Sequence, residues 1–357
     1  MTSLERCLTV LRGGAPDRVP VVPQTFMFSL ETAGIRMRDA VRSAAKMAEA
    51  QQICMEKYGY DGCVIDFDCV SMAEACGARV VFRDDDPAVL DESAPAVPDL
   101  DDVDRLRLPD PWSDGRLPIW LEATKLLVER VGDRALVMGR ADQGPFSLAC
   151  LLRGPQQFMM DLIALEDPEP LHRLIDYCRR ACALFAKAQK DAGAHVTSIG
   201  DGFASPDLVS PALYRRFALE PEARLVEEVQ GYGIPMSIHI CGNTSKMIAD
   251  MGGTGARILE VDWKLDMAEA RRRVPPAAVL MGNVNPGDPL ALGTPGQVSA
   301  AARRVMEATG GRGLILSSGC AMGRDTPPEN MKALVAAAEE YGQPPAFDAT
   351  LPFPALA

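Results

Sequence analysis

The sequence predicts an α/β fold: a (β/α)8 TIM barrel, a single domain with an N-terminal helical extension and a long insertion after the second strand. Three observations predict it. Apolar, β-rich runs alternate with helical stretches almost from end to end, the pattern of a parallel sheet built from βα units. The runs number eight. A chain of 357 residues also falls within the span of such barrels, from ~200 to over 400 residues once insertions are counted.

The elements follow in order. The first run, 19–23 (Val-Pro-Val-Val-Pro), is short and apolar, and a helical stretch over 37–58 leads to the second, 62–66. Residues 83–118 are rich in Asp and Pro and have no period, so they read as a surface excursion. Such an excursion either covers the barrel mouth or is a plain insertion. A helix over 118–130 precedes the run 136–139, and helices over 155–165 and 168–192, each opened by a proline suited to a first turn, precede 195–200. The stretch 211–230 leads to the run 235–240, and the runs 258–261 and 278–282 come next. Helix 294–309 then precedes the run 314–317, and helix 328–341 ends at Tyr341-Gly342, a helix stop.

Apolar residues make up 47% of the chain and charged residues 24%, the profile of a globular protein with a substantial core, which excludes disordered and fibrous classes. The net charge of -12 leaves no basic surface for a phosphate backbone, so no nucleic-acid partner is expected. The N-terminus lacks the apolar stretch of a signal peptide, and no run of apolar residues long enough to cross a membrane occurs, so a cytoplasmic protein is expected. Ten cysteines in that setting read as reduced thiols. Cys7, Cys54, Cys63, Cys69, Cys76, Cys150, Cys178 and Cys182 lie among small apolar neighbours and read as compact core residues. Cys178 and Cys182 are also an i,i+4 pair able to share a metal.

The chemistry gathers at two run ends. His239 and Cys241 are two residues apart, and residues i and i+2 of a strand share a face, so imidazole and thiol can grip one ion. Cys320 closes the last run. In a barrel the C-terminal strand ends share one rim, and two thiolates with one imidazole suit a zinc ion that keeps an open position. From these residues alone two readings stand, a metal site and a buried His packed beside a Cys. For a fourth ligand, Glu260 and Asp262 alternate onto one face of 258–262, with Asp262 nearer the rim. The competing reading pairs either carboxylate with Lys264 or an arginine, and for Glu260 that pairing is favoured. Further rim groups are Asp68, Asp201 and Asn283, candidate catalytic residues, and Gln143 and Asn285, candidate cofactor contacts. Asp201-Gly202 also fits a plain turn and Asn283 a loop cap. His172, within a helix, and His195, at the far end of a strand, read as structural. No Ser-His-Asp arrangement, GxGxxG or P-loop is found.

Several segments carry a family resemblance: Gly144-Pro-Phe-Ser-Leu-Ala149, Leu208-Val-Ser-Pro211, His239-Ile-Cys-Gly-Asn-Thr244, Met281-Gly-Asn-Val-Asn-Pro286, and Ser317-Ser-Gly-Cys320 followed by Asp325-Thr-Pro-Pro-Glu-Asn330. From about Leu4 to Tyr341 the chain resembles the uroporphyrinogen decarboxylase superfamily. Its His-x-Cys with a distant Cys is similar to the branch of zinc-dependent, methylcobalamin-using methyltransferases, whose best-known members methylate coenzyme M. The resemblance implies one barrel over 1–342 with a tail at 343–357, zinc held by His239, Cys241, Cys320 and Asp262, and methyl transfer to or from a small thiol or methylated molecule. A thiol with a pKa near ~8.5 is mostly protonated at neutral pH, and a zinc ion would hold it as a nucleophilic thiolate. Cobalamin is implied as free methylcobalamin or on a separate corrinoid protein, because no D-x-H-x-x-G segment is present. The decarboxylases themselves are a poorer match. Their arginine-rich motif falls on Pro23-Gln-Thr-Phe-Met-Phe-Ser-Leu, their active-site Tyr on Leu151 and their late His on Cys320, and only Asp68 has a counterpart. A cofactor-free decarboxylase is the alternative reading, and it would want several cationic side chains in the cavity.

Overall fold

The computed structural model describes residues 1–66 and 68–343. Nine strands form among them: β1 (Gly62–Val64), β2 (Val80–Val81), β3 (Val89–Leu90), β4 (Leu136–Gln143), β5 (Val196–Gly200), β6 (Met236–Ile240), β7 (Ile258–Val261), β8 (Val279–Val284) and β9 (Leu314–Ser318). Seven pair in parallel as one curled sheet in the order β1-β4-β5-β6-β7-β8-β9, and β2 and β3 form a separate antiparallel pair. The seven are buried along their whole length, as strands with helices outside and packed side chains inside must be.

Residues 20–22 join the two edges of this sheet. Leu316 N donates to Pro20 O (2.8 Å) and Val22 N to Leu316 O (2.9 Å), while on the other side Asp61 N donates to Val21 O (2.7 Å). The expected first strand is thereby reduced to one bridge, Val21 with Leu316. Its flanking Pro20 and Pro23 have no N–H to donate, so a longer ladder cannot form. The carboxylate of Asp61 clamps the segment: Oδ1 accepts from Arg6 Nη1 (2.6 Å), and Oδ2 from Arg18 Nη1 (2.6 Å) and Val21 N (2.7 Å).

Inside the curl the side chains form layers. Val196, Ile258, Val279 and Ile315 pack near the N-terminal ends of their strands with Val10 and Leu11 of the first helix, Ser3–Leu11. One layer further on, Arg140, Ser198, Ser237 and Glu260 point inward and are joined by hydrogen bonds. Register explains the change, since alternate residues of each strand share the interior face. In β4 the pairing with β5 shifts between Arg140 and Gln143, and Asp142 takes a φ of 56°. This bulge re-aims the end of the strand, so that Arg140 and Gln143, three residues apart, both face the mouth.

The helices depart from expectation in instructive places. The expected helix 37–58 is interrupted, because the Ser43 hydroxyl accepts from Lys46 N and starts a new helix, Ala44–Tyr58. The stretch 211–230 divides into Pro211–Phe217 and Leu219–Gly231, where Pro221 in the first turn has no N–H to bond back across Ala218. Helix Pro145–Arg153 was not expected, and eight of its nine residues are buried, which leaves it no polar face to show a helical period. The excursion 83–118 carries β3 and a 3-10 helix, Leu100–Arg105, and it reaches the mouth, where Pro87 lines the cavity. Of the expected tail 343–357, residues 344–357 lie outside the described residues. Among the described residues no helix is long and apolar enough to cross a membrane.

Two outcomes are expected. Asp61→Ala leaves the part-buried Arg18 guanidinium without its carboxylate and Arg6 with Asp17 as its one remaining carboxylate, and lowers the unfolding free energy by about 3–5 kcal/mol; a urea midpoint equal to that of the parent would remove Asp61 from this role. The second concerns pH. Burial, then the nearby Asp68 charge, raises the Asp142 carboxyl to about 7, above its unfolded value of about 3.9. The folded state therefore holds a proton the unfolded state releases, and the stability this supplies is present below about pH 4 and lost as pH rises to about 7. Asn tolerates the left-handed backbone and still accepts from Met72 N, as Asp142 does (2.9 Å). Asp142→Asn should thus gain on the parent between these pH values, by at most about 1.4 kcal/mol per unit. Parallel stability–pH curves would refute the assignment.

Candidate metal centre

His239 lies in β6, Cys241 one residue beyond it, and Cys320 two residues beyond β9. The ligand atoms of the three lie within 4.8 Å of one another. His239 Nε2 is 3.1 Å from Cys241 Sγ, and the two sulfurs are 3.8 Å apart. The other ring nitrogen, Nδ1, is 3.2 Å from the carbonyl oxygen of Glu260. A carbonyl only accepts, so Nδ1 carries the proton in this contact and the Nε2 edge is turned to the thiols.

The donor set fits zinc. Two sulfurs at a Zn–S distance of about 2.3 Å and tetrahedral angles stand about 3.8 Å apart, the separation seen here. The electrostatics agree. The Cys320 thiol is pulled far below the ordinary thiol range by the hydrogen bond from Cys241 and by His239, against the effect of burial. That hydrogen bond and burial push Cys241 up. Burial opposes a charged His239, but the bond to Cys320 and its charge outweigh this and raise its pKa. The cluster thus already favours a thiolate.

The two carboxylates weighed as a fourth ligand do not join this cluster. Asp262 Oδ2 accepts from Gly242 N (2.9 Å) and Oδ1 from Lys264 N (2.8 Å), so both oxygens hold backbone. Burial raises its pKa, and these amides pull it back. Gly242 follows Cys241 with a φ of 92°, and a Cβ there would come within 2.7 Å of Ser205 Oγ, so the turn that presents the thiol needs glycine. Glu260 is engaged instead by Ser237 Oγ (2.8 Å), Gln24 Nε2 (3.2 Å) and Arg140 Nη1 (3.3 Å), the arginine pairing favoured for it.

Beside the cluster opens a cavity of about 380 Å³, walled by Phe26, Met27, Pro87, Phe203, Leu208 and Ala321, with Gln24, Asp66, Asp68, Cys69, Arg140 and Gln143 around it. Of the expected rim groups, Asp68 and Gln143 line it and Asp201, Asn283 and Asn285 do not. Asp68 is held by Arg116 and by Ser71 Oγ (3.0 Å). Asp201 accepts from Ser147 N (2.7 Å) and Phe146 N (3.3 Å), a helix-start contact rather than a free carboxylate. Asn283 Nδ2 donates to Asp262 O (3.1 Å) and Leu265 O (2.7 Å), and Asn285 Oδ1 accepts from Gly287 N (2.9 Å). His172 stacks on Phe217, and His195 Nδ1 accepts from Val137 N (3.0 Å), both structural as expected. Cys69 is a correction: it is exposed at the cavity rather than packed in the core, because the chain has left β1 and runs along the rim there. Arg140 was not singled out from the sequence. The signal was present, since an arginine inside an apolar strand run needs buried partners.

Comparison with known proteins places this geometry in a family. The profile of the family described as uroporphyrinogen decarboxylase (URO-D) matches residues 2–341. A methylcobamide:CoM methyltransferase of Methanosarcina mazei is 32% identical over 345 residues, 95% of this chain and 98% of the relative. A uroporphyrinogen decarboxylase of Nocardia farcinica is 31% identical over 313 residues, 85% of each chain. Among solved structures, a methyltransferase from Methanosarcina mazei superposes with a TM-score of 0.87 at 28% identity, covering 96% of this chain and 99% of that one. A B12-independent methionine synthase from Shewanella sp. W3-18-1, at 12% identity and a TM-score of 0.59 over 90% of this chain and 97% of that one, shares the fold alone. The chain belongs to the uroporphyrinogen decarboxylase family.

Proposed function

We propose that this chain is a zinc- and corrinoid-dependent methyltransferase that moves a methyl group between a corrinoid and a small thiol or methylated molecule. The observation that carries the reading is the convergence of His239, Cys241 and Cys320 on one point beside an apolar cavity. In the same reading the fold is a single (β/α)8 barrel over 1–342, its first strand shortened to the bridge at Val21, working in the cytoplasm with free methylcobalamin or a separate corrinoid protein as the methyl-carrying co-substrate. Zinc bound by the three side chains would hold a substrate sulfur as thiolate in the remaining position. In the methylating direction a methylcorrinoid co-substrate would supply the methyl group as CH3+, keeping the Co–C bonding pair, and the thiol proton would go to solvent.

The chain's own residues aim and shield this exchange. Glu260 O orients His239, and Asp262 through Gly242 N shapes the turn that presents Cys241. Asn283 holds the Asp262 loop by two carbonyls, so Asp262 and Asn283 are positioning residues, as is Asp201 beneath the helix at 145–153. Gln143 and Asp68 face the cavity, where Gln143 offers an amide to the reacting partners. Phe26, Phe203 and Leu208 give the cavity an apolar wall. Decarboxylation of a many-carboxylate tetrapyrrole is disfavoured, because apart from His239 only Arg140 among the described lining residues is cationic.

Purified protein should carry one zinc per chain by elemental analysis, and His239→Ala and Cys320→Ser should each lose most of it together with methyl transfer from methylcobalamin, followed by its visible spectrum. Full zinc and full activity in Cys320→Ser would sink the site. Asp262→Asn should keep its zinc, because the amide oxygen still accepts from Gly242 N; zinc loss as deep as that of Cys320→Ser would make Asp262 a ligand.

A further inference from the structure

The ribbon of β2 and β3 ends at the mouth of the cavity. Its strands pair over two residues each, Val80 with Leu90 and Val81 with Val89, and a two-stranded hairpin of that length has little stability of its own. Its base is anchored by packing. Phe82 and Leu90 lie against the core, and Phe82 is also covered by the guanidinium groups of Arg42 (4.5 Å) and Arg116 (5.0 Å). The tip is held differently. Residues 83–86 are exposed, and the three aspartates among them meet three arginines. Arg38 Nη1 lies 3.4 Å from Asp84 Oδ1, Arg36 Nε 3.3 Å from Asp85 Oδ1, and Arg324 Nη2 3.4 Å from Asp86 Oδ1. Two bonds to backbone join these pairs, from Arg38 N to Asp84 O (3.2 Å) and from Arg324 to Asp85 O. Beside the tip the packing is open. One cavity of about 420 Å³ is bounded by Arg38, Arg42, Lys46, Phe82 and Asp84, and another of about 260 Å³ by Leu30, Ile35, Arg36, Asp85 and Arg324. Immediately after the tip, Pro87 enters the wall of the cavity that His239, Cys241 and Cys320 also line.

Exposed ion pairs are weak singly and are screened by salt. A tip held by three of them beside open space therefore lifts at small cost, while apolar contact keeps the base in place. Lids are drawn from segments of this kind. The proposed chemistry calls for one. A cavity of about 380 Å³ encloses a small substrate, whereas a corrin ring is a macrocycle that must present its methyl group from outside, across the mouth. Resting on the methyltransferase reading, we propose that the β2–β3 ribbon is a lid, anchored by Phe82 and clasped at its tip by Arg36, Arg38 and Arg324, and that release of the clasp opens the mouth to the methyl-carrying corrinoid. Arg324, in the loop beyond Cys320, ties the lid to the strand end that brings this thiol and is a positioning residue.

Access to the cavity can be measured apart from turnover. The full chain is treated with iodoacetamide, and alkylation of Cys69, which lines the cavity, is followed by peptide mass spectrometry with the fully buried Cys150 as reference. At low ionic strength Arg324→Gln and Asp86→Asn should each speed Cys69 alkylation at least about threefold. Sodium chloride at about 0.5 M should bring the parent to within about twofold of these variants. Lys187→Gln, which breaks a surface pair with Asp191 (2.6 Å) far along the chain, should leave the rate unchanged. If Arg324→Gln does not fold, Asp86→Asn and the salt response decide. Equal Cys69 rates in parent and variants, a parent rate indifferent to salt, or acceleration of Cys150 in step with Cys69 overturns the lid. Methyl transfer from methylcobalamin to 2-mercaptoethanesulfonate and to benzyl mercaptan is measured in parallel. Salt should raise kcat/KM for methylcobalamin in the parent more than in Arg324→Gln, and an equal response in both removes corrinoid admission from the proposal. Transfer to neither thiol counts against the methyltransferase reading, while Cys69 alkylation decides the lid by itself.

Discussion

The whole site depends on the closure made by residues 20–22. A seven-stranded parallel sheet has two edges, and β6 and β9, which bring the ligands, are separated by β7 and β8. Only a tight curl carries Cys320, 79 residues after Cys241, to within 3.8 Å of it. The curl is held where Val21 and Val22 bond to β9 on one side and to Asp61 on the other. Asp61 does this from full burial, which is tolerable because Arg6 and Arg18 neutralise it and the Val21 amide adds a further bond.

Within that frame the interior changes character along each strand. Alternation puts Ile258, Glu260 and Asp262 on one face of one strand and its continuation, so a single register brings an apolar plug, a paired carboxylate and a loop anchor into successive layers. The polar layer lies between the plug and the His239, Cys241 and Cys320 cluster. Its charges are buried, and each is matched by a partner on another strand: Arg140 of β4 by Glu260 of β7, and Glu260 by Ser237 of β6. Such bonds tie neighbouring strands together beneath the ligands, and the sulfur separation is set from below as well as by the loops above.

Much of this was legible in the sequence, for reasons that differ between residues. The run of β6 and the His239-x-Cys241 spacing needed only the two-residue period of a strand. Six further runs also formed strands where their apolar content indicated. The run 19–23 did not, since two prolines limit its ladder to one bridge, and helix 145–153 was invisible because burial on all sides removes any period. At the site, the convergence of the imidazole and thiols was legible from their chemistry, whereas Asp201 and Asn283, expected at the rim, lie off the cavity lining and hold backbone groups. Rim position is a matter of topology, but whether a carboxylate or amide is free depends on which backbone groups the loops bring to it, and that is not written in spacing. Gln143 reaches the cavity only through a bulge at Asp142 that no period predicts.

Glu260 shows how tightly orientation and charge are coupled here. Its carbonyl oxygen accepts from His239 and aims the imidazole at the thiols, while its carboxylate holds Arg140 at the cavity wall. The backbone of one residue therefore orients the His239 imidazole, and its side chain pairs the arginine at the cavity wall. If Glu260 swung up to act as a ligand, Arg140 would lose one partner and Ser237 and Gln24 theirs, leaving buried polar groups unpaired at about 1–3 kcal/mol each. Asp262 faces the same constraint, since leaving Gly242 and Lys264 would undo the turn that presents Cys241. Both carboxylates nearest the three side chains are thus committed to holding backbone and buried polar partners, and the side of the His239, Cys241 and Cys320 cluster left uncovered by them is the one that faces the cavity.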